Sequence, residues 1–279
     1  MPSVPTTGQP THQHSRQPSR HLTAPAQRHP IRTLRAFKLL GVLLHFARGG
    51  RTVRQEFGSL TTQQKRLAMK NWAQGVLQTL QVVVDSNVAE PSQDAVLLVA
   101  NHLSWLDILV IQSIMPGVFV AKSEVRRWPL IGPLAHACAT IFVDRSSARS
   151  ARSMVDRSVQ ALQDGWCVVA FPEGTSSDGR SLGTFHANIF ECAIRSGTAV
   201  QTLTLQYQDR RSGQIATDAH FTGDTTMLSS LLRVMGCSTL SAQVHVGERI
   251  AAQGHTRKTL ARQAHHQMRA QLSLPEAHD

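Results

Sequence analysis

The spacing of apolar residues along the chain changes near residue 80. Between residues 61 and 80, the apolar residues Leu67, Trp72, Val76 and Leu80 recur at roughly helical spacing, and Thr61 or Thr62 can cap a helix. Beyond this point, short apolar runs rich in Val, Ile and Thr alternate with amphipathic stretches. The apolar runs, which we predict to be strands, are Leu80–Val84, Ala95–Ala100, Val118–Ala121, Thr140–Val143, Cys167–Phe171, Val200–Leu205 and Gln243–Val246.

Helical patterns lie between these runs and after the last of them. The predicted helices are Trp105–Ile114, Ser147–Gln163, Ala187–Arg195, Thr226–Met235 and a polar helix at Arg257–Leu272. Strands that alternate with helices indicate an α/β domain with a mostly parallel sheet flanked by helices. We expect this domain to occupy residues 81–279.

The N-terminal part divides into two predicted segments. Residues 1–30 are polar and rich in His and Pro, so we expect a disordered tail; no signal peptide is expected, because no apolar h-region follows the first basic residues. Residues 31–80 form a predicted helical segment whose most apolar run, Ala36–Ala47, is shorter than the roughly 20 residues that span a bilayer. Its basic flank consists of Arg32, Arg35 and Lys38. Such a helix either lies in the membrane interface or packs on the core; we expect membrane-interfacial helices.

The net charge of +11 favours polyanionic partners, either nucleic acid or a membrane with anionic lipid. Aromatic residues make up only 5% of the chain, and no single-strand stacking platform or zinc pattern is present, so a nucleic-acid-binding protein is the remote alternative and no nucleic-acid partner is expected. The cysteines are scattered without a C-x-x-C pair, which predicts free thiols and neither a metal site nor a disulfide framework.

Three residues with reactive side chains follow predicted strands. His102, Arg145 and Glu173 come after the runs that end at residues 100, 143 and 171. Because ligand sites in parallel sheets form beyond the carboxyl ends of the strands, we expect a base, a cation and a carboxylate at one edge.

His102 and Asp107 have the spacing of a base and its partner. If a helix begins near Ser104, the Asp107 carboxylate can reach back to the imidazole, fix its tautomer and stabilise its charged form. His102 then suits a general base that activates a hydroxyl of the substrate. In the alternative interpretation Ser104 and Asp107 form a capping box and His102 is a loop residue.

The segment Phe171–Thr175 forms a Pro-Glu-Gly turn after a buried strand. Gly174 lets a ligand approach the backbone while Glu173 presents a carboxylate; a plain polar turn is the alternative. Arg145 can bind a phosphate bidentately or be one arginine of a solvated basic run. The G-x-S-x-G match at residues 179–183 follows a polar loop rather than a strand, which argues against a serine hydrolase.

Together these segments resemble the glycerolipid acyltransferase family, whose bacterial members include 1-acylglycerol-3-phosphate acyltransferases. The block N-H-x-x-x-x-D is matched by Asn101, His102 and Asp107. The block F-[IV]-x-R is matched by Phe142, Val143 and Arg145, and [FY]-P-E-G-[TG] by Phe171–Thr175. The order and spacing of the blocks agree with the family over residues 96–262.

The resemblance implies acyl transfer to a lysolipid hydroxyl, with acyl-CoA or acyl carrier protein as co-substrate and no bound cofactor or metal. His102 and Asp107 would be catalytic. The substrate-binding residues would be Arg145, Glu173, Gly174 and Thr175, with Glu173 binding a hydroxyl or holding Arg145. The protein would work at the cytoplasmic face of the inner membrane.

Departures from the family pattern concern the acceptor. Ser176 stands where an arginine often follows P-E-G-T, His186 where a basic residue is usual, and Ala139 where a glycine opens the second block; the proline usual in a fourth block is missing from residues 200–203. Loss of cations weakens the case for a phosphate-bearing acceptor. We expect lysophosphatidate first, with lyso-ornithine lipid as the alternative.

Overall fold

The computed structural model describes residues 29–89, 94–128 and 131–274, with side chains from Arg35 onward. The predicted disordered tail lies outside the described residues as far as residue 28. The α-helices are α1 (His29–Gln55), α2 (Thr62–Leu80), α3 (Leu106–Ile114), α4 (Ile131–Ala137), α5 (Ala148–Gln163), α6 (Glu191–Ser196), α7 (Met227–Gly236) and α8 (Arg257–Gln271). The strands are β1 (Val83–Ser86), β2 (Leu97–Ala100), β3 (Val118–Lys122), β4 (Ile141–Val143), β5 (Val168–Ala170), β6 (Val200–Asp209) and β7 (Leu240–Ile250).

The strands form one seven-stranded sheet in the order β1-β7-β6-β2-β5-β3-β4. Its neighbouring strands are parallel except for β6 and β7, which pair antiparallel. The prediction of a mostly parallel sheet flanked by helices is therefore confirmed. Parallel pairing brings the carboxyl ends of β2, β5, β3 and β4 to the same edge.

Helices cover both faces of the sheet and form two apolar cores. One core joins α1, α2, α3 and α7 to the sheet, and the other is built with α5, α6 and α8. The central strand β2 is continuously apolar because both of its faces are buried. Leu98 and Ala100 enter the first core, whereas Leu97 and Val99 enter the second.

Several elements differ from the predictions. Leu80 ends α2 instead of beginning a strand, because Gln81 adopts a left-handed cap with φ of 61°. The helix α4 was not predicted. Both β6 and β7 extend beyond their predicted runs, because the two strands continue their antiparallel backbone pairing, with Gln208 opposite Ser241 and Asp209 opposite Leu240.

The predicted helical segment 31–80 consists of two helices that differ in exposure. In α2 the core-facing residues are buried: Met69, Ala73, Val76, Leu77 and Leu80. In α1, Val42 is buried, but Phe37, Leu40 and Leu44 are 50–69% exposed. The buried side chain of Lys38 connects α1 to the ends of α2 and α7, since its Nζ donates to the carbonyl oxygens of Leu80 (3.1 Å) and Cys237 (2.8 Å). Among the described helices, none has both the length and the apolar character needed to cross a membrane.

Candidate active site

The structure brings the His102 loop, the Glu173 turn and Arg145 together at the carboxyl edge of the sheet. The loop after β2 carries His102, the turn after β5 carries Glu173 and Gly174, and the loop after β4 carries Arg145. Contacts join the three: Glu173 binds the His102 backbone, and Arg145 lies beside Gly174. The expected clustering of these side chains is present.

His102 and Asp107 form a hydrogen-bonded pair. Nδ1 of His102 lies 2.8 Å from Oδ2 of Asp107, whose side chain is fully buried, whereas the imidazole is 22% exposed. Because the carboxylate accepts a hydrogen bond from Nδ1–H, the other nitrogen of this partly exposed ring, Nε2, is left as a proton acceptor. Phe171 stacks on the imidazole at a centroid distance of 4.0 Å and restricts its rotation.

Asp107 accepts hydrogen bonds from four donors. Besides His102, its Oδ2 receives the backbone N–H groups of Leu103 (2.7 Å) and Ser104 (2.8 Å). Its Oδ1 receives the hydroxyl of Tyr207 at 2.7 Å. A buried carboxylate requires such compensation for its lost hydration. The helix α3 has Trp105 as its N-cap and no side-chain cap bond, so Asp107 forms no capping box with Ser104; it orders the loop before α3 and also holds the imidazole.

Tyr207 completes this network and was not found from the sequence. It lies fully buried on β6, and burial together with the neighbouring Asp107 raises the pKa of its hydroxyl well above the usual 10. The hydroxyl therefore stays protonated and remains a donor. The available signal was weak: Tyr207 is the one tyrosine in the sequence, and a buried tyrosine hydroxyl requires a partner.

Glu173 connects two loops through backbone hydrogen bonds. Its Oε1 accepts from the N–H of His102 (3.0 Å), and its Oε2 accepts from the N–H of Gly183 (2.8 Å). Burial is the main influence on the carboxyl and raises its pKa above the ordinary value in spite of these bonds. Among the described residues Glu173 forms no ion pair with Arg145; its carboxylate oxygens accept from the two backbone amides instead.

Arg145 reaches the glycine of the Pro-Glu-Gly turn. Gly174 has a φ of 77°, and a β-carbon placed there would stand 3.1 Å from Nη1 of Arg145 and 3.2 Å from Cδ2 of His186. In the described part of the chain, Arg145 makes no ion pair or side-chain hydrogen bond. Thr175 is exposed, and the Ser176 hydroxyl donates to the carbonyl of Phe221. The surface around Gly174 thus presents a guanidinium to solvent.

Asn101 and Ser177 fix the backbone around His102. The Asn101 amide donates to the carbonyl of Leu205 (3.0 Å) and accepts from its N–H (2.7 Å), which ties the loop after β2 to β6. The N–H of Ser177 donates to the carbonyl of His102 at 2.8 Å. The imidazole is therefore held by backbone contacts on both sides as well as by Asp107.

Two further sequence expectations concern metals and nucleophiles. In the residues that the structure covers, no group of three His, Cys, Asp or Glu side chains could hold a metal ion. All four cysteines are free thiols. Ser181, the serine of the G-x-S-x-G match, lies exposed in an irregular loop, as the preceding polar residues indicated.

Comparison with known proteins gives consistent matches. The family model described as Acyltransferase matches residues 80–206. Over 183 residues, 66% of this chain and 70% of the relative, the chain is 39% identical to a lyso-ornithine lipid O-acyltransferase of Pseudomonas aeruginosa. It is 30% identical to a 1-acyl-sn-glycerol-3-phosphate acyltransferase of Neisseria meningitidis, over 65% of this chain and 71% of that protein.

A solved structure is similar in fold. The crystal structure of a 1-acyl-sn-glycerophosphate acyltransferase from Thermotoga maritima superposes with a TM-score of 0.62. The match covers 88% of this chain and 97% of the other, at 17% sequence identity. At that identity the likeness concerns the arrangement of the sheet and its helices.

Proposed function

This chain belongs to the acyltransferase family, and from that premise we propose that it transfers a fatty acyl group from a thioester donor to the free hydroxyl of a lysolipid, with His102 as general base. The observation that carries the proposal is the 2.8 Å pair of His102 and buried Asp107, with the second imidazole nitrogen facing the site. A base held in this way needs no nucleophile from the protein, because the acceptor brings its own hydroxyl.

The proton and the acyl group move in two steps. Nε2 of His102 takes the proton of the lysolipid hydroxyl while the oxygen attacks the thioester carbonyl and forms a tetrahedral adduct. The adduct collapses, the carbon–sulfur bond breaks, and the imidazolium returns its proton to the thiolate. Asp107 stabilises the imidazolium between the two steps. The products are the acylated lipid and the free thiol of coenzyme A or acyl carrier protein.

Arg145 and the turn at Gly174 are the proposed head-group site. A guanidinium binds one carboxylate or phosphate bidentately, and Gly174, which has no side chain, leaves room for the Arg145 guanidinium beside the turn. Glu173 shapes this site by fixing the loops of His102 and Gly183. We place Thr175 at its exposed rim.

The acceptor we propose is an aminolipid of the lyso-ornithine type, although the sequence alone ranked lysophosphatidate first. The higher identity to a lyso-ornithine lipid O-acyltransferase supports this order. Ser176 also supports it, because its hydroxyl is tied to Phe221 in a position where the family resemblance leads us to expect an arginine. A phosphomonoester carries up to two negative charges and favours more than one cation. Lysophosphatidate remains the second candidate.

The exposed apolar residues of α1 support membrane association. Phe37, Leu40 and Leu44 project from a chain of net charge +11, so an apolar face and a cationic surface act together on an anionic bilayer. We propose a peripheral or monotopic position at the cytoplasmic face of the inner membrane.

Acyl transfer by the purified protein tests the proposal. Lyso-ornithine lipid and lysophosphatidate are offered side by side, each with acyl-CoA and with acyl carrier protein as donor, and labelled product is separated. We expect a higher kcat/KM for lyso-ornithine lipid. A preference for lysophosphatidate would reverse the order of acceptors, and no transfer to any lysolipid would refute the function.

A further inference from the structure

We propose that α7 is a second lipid-binding surface, which lies against the bilayer beside α1. The proposal rests on the function above, because a lysolipid acceptor resides in a membrane. It concerns a helix far along the sequence from the predicted interfacial segment.

The outer face of α7 is apolar and exposed. Leu228 and Leu232 are 65% and 39% exposed, and their spacing of four residues puts them on one side of the helix. The opposite side is buried through Ser230, Val234 and Met235. A helix with two apolar faces needs a partner for the second one, since the first already packs on the core.

Contacts with α1 make the two exposed faces neighbours. The Arg35 guanidinium lies 2.6 Å from where a β-carbon on Gly236 would stand, and Lys38 donates to the carbonyl directly after α7 at 2.8 Å. Leu39 and Leu43 follow Arg35 by one and two helical turns, so they lie on the side of α1 that faces α7. They are 39% and 47% exposed. Leucines of α1 and α7 therefore form one surface, which we call the leucine surface (Leu39, Leu43, Leu228 and Leu232).

The buried face of α7 touches the catalytic loop. Nε1 of Trp105 donates to the Ser230 hydroxyl at 3.0 Å, and the N–H of Phe221, in the segment leading into α7, donates to the Leu103 carbonyl at 2.8 Å. Leu103 and Trp105 lie between His102 and Asp107. The helix α7 thus connects the proposed bilayer-facing surface to the loop that carries the base.

The charge beside the leucine surface favours lipid as its occupant. On α1 the exposed side continues from the leucines into the exposed residues Arg48, Arg51 and Arg54. The leucines can contact the acyl chains of a bilayer while the neighbouring arginines bind its anionic headgroups.

Flotation with vesicles tests the proposal independently of catalysis. The full chain and the double variant Leu228→Gln with Leu232→Gln are mixed with vesicles of phosphatidylglycerol and phosphatidylethanolamine, and the bound fraction gives a partition coefficient. We expect a loss of about tenfold or more in the variant, since burying even one leucine side chain is worth about that factor. Circular dichroism must show an unchanged melting temperature; if the double variant melts early, Leu228→Gln alone replaces it, because Leu228 is the more exposed residue.

Leu67→Gln is the matched control. Leu67 is 58% exposed, but its neighbour Arg66 stacks on Trp166 just before β5, which places this part of α2 at the amino edge of the sheet. We expect its partition coefficient to stay at the wild-type value. Unchanged partitioning of the α7 variant would overturn the proposal, and so would a dimer in light scattering that the α7 substitutions dissolve, since a second copy would then cover the surface. Lost flotation in a protein without acyl transfer would uphold this surface and refute only the enzymatic function.

Discussion

Replacing Tyr207 by phenylalanine removes the one donor that reaches Oδ1 of Asp107 among the described residues. The ring stays and fills the same space, so only the 2.7 Å hydrogen bond is lost. Oδ2 keeps its three donors, and the imidazole keeps its partner. Asp107 is fully buried, so no water replaces the lost donor at Oδ1 and the carboxylate holds the imidazolium less firmly.

The expected loss of kcat follows from the negative charge of the Asp107 carboxylate, which accepts the hydrogen bond. A hydrogen bond to a charged group contributes about 1.5–3 kcal/mol, and at about 1.4 kcal/mol per factor of ten this corresponds to a fall in kcat of about 10- to 100-fold. The KM for the acceptor should stay unchanged, because Tyr207 is fully buried and lies behind Asp107 rather than in the head-group site. Steady-state kinetics of acyl transfer, with saturating donor, separates the two parameters.

Thr202→Val is the matched control for this substitution. Thr202 lies on the same strand, is fully buried, and its hydroxyl donates to Gln267 at 2.9 Å, away from Asp107. Both variants should lower the free energy of unfolding in urea, but only Tyr207→Phe should lower kcat. If kcat of Tyr207→Phe stays within about twofold of the wild type while its stability falls like that of Thr202→Val, Tyr207 is merely structural and the reasoning is refuted.

Three other substitutions test the remaining parts of the site. His102→Ala should abolish acyl transfer while circular dichroism shows a folded protein. A near-normal turnover of this variant would refute His102 as the general base. Arg145→Ala should raise the KM for the lysolipid acceptor, whether its head group carries a carboxylate or a phosphate, whereas Arg149→Ala, on the exposed side of α5, should not. A KM of Arg145→Ala equal to that of the wild type would remove Arg145 from the head-group site. Glu173→Gln should flatten the pH dependence of stability. Since burial raises the pKa of Glu173 above 4.5, wild-type stability from this group is present below pH 4.5 and falls as pH rises through the higher folded value. Urea titrations across that range compare the two proteins, and parallel curves would contradict the assignment.

The sequence predicted what depends on neighbouring positions. The strand and helix order followed from local periodicity, and the His102–Asp107 pair was accessible because the two residues share one loop and helix start. Tyr207 is a hundred positions from Asp107, and its partner depends on the pairing of β6 with β2. The helix α4 was not predicted because its seven residues include Gly132 and Pro133, which are typical of turns.

The role of Glu173 was also beyond local reasoning. Its motif indicated an exposed carboxylate at a turn, and the charge suggested Arg145 as its partner. The observed partners are the backbone amides of His102 and Gly183. Backbone donors carry no signature in side-chain chemistry, so their positions emerge only when the loops are placed in three dimensions.

The position of β7 in the sheet has a consequence for how the chain is made on the ribosome. Strand β1 follows α2 directly and lies at the edge of the sheet, where it pairs with β7. This pairing cannot form until the chain has grown from Ser86 to beyond Leu240. Synthesis adds about 5–20 residues per second, so this wait lasts roughly ten seconds or more. During that time the apolar side of α1 has neither α7 nor the finished sheet to lie against. The loops that carry His102, Arg145 and Glu173 are synthesised within this interval, so they leave the ribosome before this edge of the sheet is complete.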